Sequence, residues 1–185
     1  MFATDSSERE YRPFPNDEAR NRCQQNLEVP VMLSLLGVPR GARILEVGCG
    51  RGVALAPIVR QLAPTRLVGL DIDPRLLEEA GHRVAGTSVE LVCGDVRALP
   101  FADASFDAVI DFGTTYHVAG RADALSEIAR VLVPGGRFCH ETRLAQALAH
   151  PVRSRGRRLP WAQVPELRRD RQALLWSCRR RGSSA

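Results

Sequence analysis

ILEVGCGRG, residues 44–52, is the stretch of sequence that decides the fold. The apolar run at its start, Arg43–Val47, has the length and composition of a buried β-strand, and three glycines follow it at alternate positions before a helical pattern over 53–62. Glycine adopts positive φ and lets a ligand approach the backbone, while the N-terminus of a helix presents unpaired N–H groups to an anion. The stretch therefore predicts a strand, a ligand-binding loop and a helix.

The alternation of strand and helix repeats over residues 40–141. The predicted strands are 66–71, 89–93, 106–111 and 137–141, and the predicted helices between them are 74–84 and 121–132. Buried strands that alternate with helices favour a parallel sheet covered on both faces, with ligands bound beyond the carboxyl ends of the strands. We therefore expect an α/β fold, a doubly wound Rossmann-like sheet that is mainly parallel.

The ends of the chain are expected to belong to the same single domain, 1–185. Residues 1–16 are polar and predict an N-terminal arm. Apolar residues recur at helical spacing over 17–36, where Pro30 is expected to kink or split the helix. Within the short C-terminal part, 142–185, the apolar stretch 172–179 predicts a final strand.

Composition is that of a soluble globular protein, with 44% hydrophobic and 25% charged residues in a chain of 185. No apolar stretch approaches the ~20 residues of a membrane-spanning helix, and the first ten residues lack the apolar core of a signal peptide. The five cysteines include no C-x-x-C pair, and no histidine has the spacing of a metal ligand. We expect a cytoplasmic protein with free thiols, no membrane contact and no metal.

Charge is distributed unevenly along the chain. Residues 143–185 contain 11 arginines against Glu166 and Asp170, a formal charge of +9, whereas residues 1–142 carry −4. A basic end can contact nucleic acid or another anionic partner, but few aromatic residues are interleaved with these arginines. A solvated end is the favoured interpretation, and nucleic acid is the less favoured partner.

Five motifs in order resemble the class I S-adenosylmethionine-dependent methyltransferases, most closely the small-molecule type. They are E-x-G-x-G-x-G (46–52), G-L-D-I-D-P (69–74), G-D-V-R-A-L-P-F (94–101), S-F-D-A-V-I (105–110) and R-V-L-V-P-G-G-R-F (130–138). The resemblance implies that 40–141 is a cofactor-binding core. It also implies that the final strand is antiparallel beside the fifth, and that S-adenosyl-L-methionine is the cofactor. A dinucleotide fingerprint beginning at Gly48 would require glycine or alanine in place of Val53, which weakens an NAD interpretation.

The resemblance assigns separate groups to the parts of this cofactor. The glycine loop would meet its carboxylate, with Glu46 orienting the loop or attracting the ammonium, and Asp71 would accept from the ribose hydroxyls. Asp95 would accept from the adenine amino group, beside the Val96 backbone, and Ile72 would pack on the adenine face. The full expected cofactor-binding set is Glu46, Gly48, Cys49, Gly50, Gly52, Asp71, Ile72, Asp95, Val96 and Asp111.

Several of these residues have a plain structural alternative. A solvated carboxylate or helix cap is one alternative for Asp71, although Asp73 suits that role better. Asp95 could be an ordinary turn aspartate. His117, after the fourth strand, is the candidate general base, and its alternative is a structural histidine that caps the following helix.

The expected function is methyl transfer to a small-molecule acceptor. One alternative is a nucleic-acid or protein methyltransferase that uses the arginine-rich end, and another is a non-catalytic S-adenosylmethionine-binding protein. Little chain remains after Glu141 to cover the acceptor. We therefore expect residues 11–36 to close the cofactor pocket, leaving an acceptor side that is shallow or completed by the partner subunit of a homodimer.

Overall fold

The computed structural model describes residues 16–141 and, beyond them, the segments 153–154, 157–158 and 176–179. The predicted N-terminal arm therefore lies outside the described residues except for Asn16. The Asn16 side chain accepts a hydrogen bond of 2.8 Å from the Ala19 N–H, so it caps the first helix.

A six-stranded sheet forms the centre of the fold. Its strands include β1 (Arg43–Val47), β2 (Arg66–Asp71), β3 (Val89–Cys93), β4 (Phe106–Asp111) and β5 (Leu132–His140). These five strands pair in parallel in the order β3-β2-β1-β4-β5. The parallel Rossmann-like sheet is confirmed, and the first four strands have the predicted bounds because each is a short apolar run between turn residues.

Three short strands follow. β6 (Arg153–Ser154) and β7 (Arg157–Arg158) form a separate antiparallel pair. β8 (Trp176–Arg179) lies beside β5 at the edge of the main sheet and runs antiparallel to it, with Trp176 opposite His140 and Arg179 opposite Arg137. β8 falls within the predicted final strand, of which residues 172–175 lie outside the described residues.

Helices cover both faces of the sheet. They are α1 (Asp17–Cys23), α2 (Val29–Leu36), α3 (Leu55–Leu62), α4 (Pro74–Arg83) and α5 (Arg121–Val131). Successive strand residues point to opposite faces, so Ile44 joins the core under α2 and α3 while Leu45 joins the core under α5. No helix in the described part of the chain is both long and apolar enough to cross a membrane.

The N-terminal helical segment is split as predicted, and the break precedes Pro30. One turn of π-helix, Gln24–Glu28, joins α1 to α2, and the Val29 N–H bonds to the Gln24 carbonyl across that wider turn. Proline has no N–H and its ring crowds the preceding turn, which accounts for a break at this place. Gly37 then ends α2 in the left-handed conformation, at φ 58°.

α2 does not close the ligand pocket as expected. Its apolar residues Val29, Met32 and Leu36 are almost completely buried against the sheet and α3. The Arg137 guanidinium donates a hydrogen bond of 2.6 Å to the Leu36 carbonyl, which ties the end of α2 to β5. α2 is therefore part of the core, and its packing gives no support to the predicted closing role.

Three predicted helix bounds are wrong, of which one is the end of α4, at Arg83 rather than at 84. α5 ends at Val131, one residue earlier than expected, and β5 begins at Leu132, five residues earlier than expected. Proline at 134 disfavours helical backbone at the residue before it, so the chain is already extended there. α3 starts at Leu55 rather than at 53, because the glycine loop continues as tight turns in which the Leu55 N–H bonds to the Gly52 carbonyl.

Candidate active site

A cleft of about 300 Å³ opens at the carboxyl ends of the parallel strands. The loops after β1, β2, β3 and β4 all contribute to it, as the topology of such sheets requires. It is lined by Gly48, Leu70, Asp71, Ile72, Gly94, Asp95, Val96, Arg97, Thr114, Val118 and Ala119. Five of the predicted cofactor-binding residues line this cleft, namely Gly48, Asp71, Ile72, Asp95 and Val96.

The glycine loop has two kinds of glycine position. At Gly48, with φ 65°, a Cβ would lie 1.8 Å from the Thr114 Oγ1, so a side chain is excluded by both backbone conformation and space. At Gly50, with φ 51°, a Cβ would meet nothing within 4 Å. Gly48 is therefore required for packing against the loop after β4, whereas Gly50 faces open space that a ligand group could enter.

Asp71 connects two loops at the base of the cleft. One carboxylate oxygen accepts the Gly50 N–H at 2.8 Å and the other accepts the Asp73 N–H at 2.9 Å. Its side chain is mostly buried yet lines the cleft. Each oxygen retains a lone pair, so Asp71 can hold the loop and still accept from a ligand. Asp73 is the cap of α4, accepting from the Arg75 N–H at 2.9 Å, as the sequence indicated.

Asp111 has a role different from the predicted one. It is fully buried, and its carboxylate accepts from the N–H groups of Gly113, Thr114 and Thr115 and from the Thr115 hydroxyl. These bonds occupy both oxygens and leave no surface for a ligand. Asp111 therefore acts on the cleft through the loop after β4, because it sets the position of Thr114.

Cys49 and Gly52 also lie behind the cleft rather than in it. The Cys49 thiol is buried against Gly69, and burial raises its pKa, so it is a core group and not a nucleophile. Gly52 packs against Ala80 of α4, where a Cβ would lie 2.9 Å from the alanine methyl carbon. Both residues support the loop, and the prediction that they contact a ligand is not supported by their positions.

Glu46 is the exceptional group at this site. Its side chain is 2% exposed, and its Oε2 is the only buried side-chain oxygen or nitrogen of the described residues without a hydrogen-bond partner. Burial, together with the nearby charges of Asp111 and Asp71, raises the pKa of Glu46 to about 8. Glu46 is therefore mainly protonated at neutral pH in the free protein, directly behind the glycine loop.

The other end of the cleft combines an apolar surface with an ion pair. Ile72 is 66% exposed, more than any other large apolar side chain of the described residues, and Val96 also lines the cleft. Asp95 is bound by the Arg97 guanidinium, and this hydrogen-bonded cation lowers the pKa of the Asp95 carboxyl. Sequence reasoning missed Arg97, although the D-x-R spacing of Asp95 and Arg97 was available as a signal.

His117 lies in the turn after β4 and is exposed. The backbone N–H of His117 donates to the Thr114 carbonyl at 2.9 Å, and the centroid of its ring is 4.2 Å from that of Tyr116. The neighbouring Thr114, Val118 and Ala119 line the cleft, whereas His117 is not among its lining residues. The alternative that His117 caps the next helix is wrong, because the residue preceding α5 is Gly120. Within the described ranges, no group of three or more His, Cys, Asp or Glu side chains could hold a metal ion.

The residues that build this cleft belong to a region of the chain that is similar in sequence to known proteins. The protein family described as "Methyltransferase domain" matches residues 45–140. The chain is 41% identical over 103 residues to a fatty-acid O-methyltransferase of Mycolicibacterium smegmatis, covering 54% of this chain and 36% of that protein. It is 40% identical over 103 residues to a demethylmenaquinone methyltransferase of Symbiobacterium thermophilum, covering 53% and 41%.

Solved structures show the same similarity. An S-adenosylmethionine-dependent methyltransferase from Mesorhizobium loti superposes with a TM-score of 0.54 at 25% identity, over 61% of this chain and 51% of that one. The matches span between 30% and 41% of the lengths of the curated relatives. The family match, residues 45–140, includes the strands β2 to β5 and the loops that line the cleft.

Glu46→Gln tests the state of the buried carboxyl. Between its ordinary pKa of 4.5 and about 8, Glu46 loses its proton in the unfolded chain but keeps it in the folded protein, so the free energy of unfolding falls as pH rises. Glutamine does not titrate, so the free energy of unfolding of the variant does not fall with pH for this reason. Relative to the native protein it should gain ~1–3 kcal/mol between pH 5 and pH 8, measured by urea denaturation.

Glu90→Gln is the matched control. Glu90 pairs with Arg66 at the surface, which lowers the pKa of Glu90, so no proton uptake separates its folded and unfolded states between pH 5 and pH 8. A stability difference for Glu46→Gln that stays constant over this pH range would show that Glu46 is ionised in the folded protein.

Proposed function

This chain belongs to the methyltransferase-domain family, and we propose that it transfers a methyl group from S-adenosyl-L-methionine to a small-molecule acceptor. The observation that carries the proposal is the cleft itself, which is lined at the carboxyl ends of the neighbouring strands β1 and β2 by Gly48 of the glycine loop, the Asp71 carboxylate and the exposed side chain of Ile72. The names of the relatives support a small-molecule acceptor, because they specify a fatty acid and demethylmenaquinone.

The donor end of the cleft suits a zwitterionic amino-acid group. S-adenosylmethionine supplies a methyl group on a positively charged sulfonium and is therefore already activated for transfer. We assign its carboxylate to the backbone around Gly48 and Gly50. Glu46 stands behind this loop with an unpartnered oxygen, and a positive charge nearby would favour its ionised form.

The adenosine end suits the remaining part of that cofactor. Asp71 lines the cleft with a free lone pair on each oxygen, which is the arrangement that two adjacent ribose hydroxyls require. Ile72 and Val96 provide apolar surface for a purine ring. Asp95, at the end of this surface, is assigned to the adenine amino group.

The loop after β4 would face the methyl acceptor. In-line transfer from an activated donor depends on orientation and on exclusion of water, which Thr114, Val118 and Ala119 can provide as cleft walls. His117, which precedes the lining residue Val118 in the chain, is proposed as a general base for an acceptor that must lose a proton. The arginine-rich end supports a macromolecular acceptor only by its charge.

Asp71→Ala should weaken the binding of S-adenosylmethionine and S-adenosylhomocysteine by ~1–3 kcal/mol, because the hydroxyl acceptors are lost. Titration calorimetry measures this change. Asp73→Ala is the control, because Asp73 caps α4 and does not line the cleft. This variant should bind both ligands with the affinity of the native protein. Equal affinity of Asp71→Ala and Asp73→Ala, both folded by circular dichroism, would refute the ribose assignment.

Methyl transfer itself is tested with methyl-labelled S-adenosylmethionine and a cell extract separated into small molecules, protein and nucleic acid. We expect enzyme-dependent label in the small-molecule fraction, identified by mass spectrometry. Label in the nucleic-acid or protein fraction would instead establish the macromolecular alternative. Cofactor binding without label in any fraction would establish a non-catalytic binding protein.

His117→Ala tests the proposed base once an acceptor is known. Loss of general-base catalysis should lower kcat ~10²–10⁴-fold while cofactor affinity remains native. His82→Ala, which changes an exposed histidine on α4, is the control and should leave kcat unchanged. A decrease of less than about tenfold for His117→Ala would assign the rate to orientation and water exclusion.

A further inference from the structure

Arg97 donates hydrogen bonds to the carboxylate of Asp95, the group proposed to bind the adenine amino group. The Asp95 Oδ1 accepts the Arg97 backbone N–H at 2.8 Å and its Nε–H at 3.0 Å. The Asp95 Oδ2 accepts from the same Nε at 3.0 Å and from Nη2 at 2.5 Å. A carboxylate has about four lone-pair positions, and three N–H groups of Arg97 share the two oxygens of Asp95, the Nε–H contacting both.

Arg97 also reaches the opposite wall of the cleft. Its Nη1 lies 3.4 Å from the Ala119 carbonyl oxygen, and its Cδ lies 3.5 Å from the place of a Cβ on Gly120. Arg97 and Asp95 both line the cleft, and neither side chain is buried, so both can exchange partners when a ligand enters. The ion pair thus stands between the loop after β3 and the loop after β4.

We propose that Arg97 is a specificity-determining residue that competes with the 6-amino group of a bound purine for the carboxylate of Asp95. This inference rests on the proposed function, because it places the purine at Ile72 and Val96. An amino group donates and competes with the N–H groups of Arg97 for Asp95, whereas a 6-oxo group accepts and can bond to Arg97 while the ion pair stays intact. Arg97 therefore reduces the preference of the site for a 6-amino over a 6-oxo purine.

A second ion pair in the same fold serves as a control. Asp73 and Arg75 have the same D-x-R spacing, with contacts of 2.9 Å from the Arg75 backbone N–H, 3.1 Å from Nε and 2.7 Å from Nη2. The local geometry is therefore shared, but neither Asp73 nor Arg75 lines the cleft. A difference in ligand affinity between Arg97→Ala and Arg75→Ala is therefore due to the position of Arg97 in the cleft and not to the loss of a surface ion pair.

The test is titration calorimetry of S-adenosylhomocysteine and its 6-oxo (inosine) analogue with the native protein, Arg97→Ala, Arg97→Gln and Arg75→Ala. An exposed ion pair stabilises only weakly, so its removal should strengthen binding of the 6-amino ligand about two- to fivefold. The 6-oxo ligand should bind Arg97→Ala and Arg97→Gln no more tightly than the native protein. Arg75→Ala should leave both affinities unchanged.

The outcomes separate this inference from the proposed function. If the native protein binds neither ligand, the proposed cofactor site is wrong and the inference fails with it. If the native protein binds S-adenosylhomocysteine but both Arg97 substitutions change the two affinities by the same factor, or leave them unchanged, the competition is refuted and the site stands. Weaker binding of the 6-amino ligand would make Arg97 a ligand contact and would also refute the competition.

Discussion

Buried carboxylates at the ends of parallel strands hold the loops of this protein in place. Asp71 accepts N–H groups from the loop after β1 and from its own loop, and Asp111 accepts three N–H groups from the loop after β4. Such charge-assisted bonds are about twice as strong as neutral ones, and they satisfy backbone groups that no strand or helix can satisfy there. The cleft exists because these loops are fixed on both of its sides.

Glu46 shows the cost of placing a third carboxyl in the same region. It lies on β1, between the strands that carry Asp71 and Asp111, and no described N–H group reaches its Oε2. A third buried negative charge would repel the other two, so the proton stays on Glu46. Asp71 and Asp111 stabilise loops through hydrogen bonds, whereas Glu46 lies behind the glycine loop with its Oε2 unpartnered.

The two ends of the cleft differ in how completely their polar groups are used. At the glycine loop, Gly50 faces open space and Glu46 has an unpartnered oxygen. At the far end, Asp95 already accepts three N–H groups of Arg97 on its two oxygens. A ligand that spans the cleft would therefore enter open space beside the glycine loop at one end and meet an existing ion pair at the other.

Much of the fold was predictable from the sequence because its signals are local. A buried parallel strand is an apolar run ended by turn residues, and β1 to β4 have their predicted bounds for that reason. The bounds of α3 and β5 were less predictable. Their positions depend on turns after Gly52 and on the backbone before Pro134, where competing local preferences meet tertiary pairing.

The sequence by itself determined the parallel sheet, the glycine loop and the placing of acidic residues after strands. Only the tertiary structure decided which acids reach the cleft, because Asp71 and Asp111 both end a strand and look equivalent in the sequence. Asp71 keeps free lone pairs at the surface of the cleft, while Asp111 is enclosed by Gly113, Thr114 and Thr115. The physical reason is that burial and hydrogen-bond partners come from loops distant in sequence, which no local pattern records.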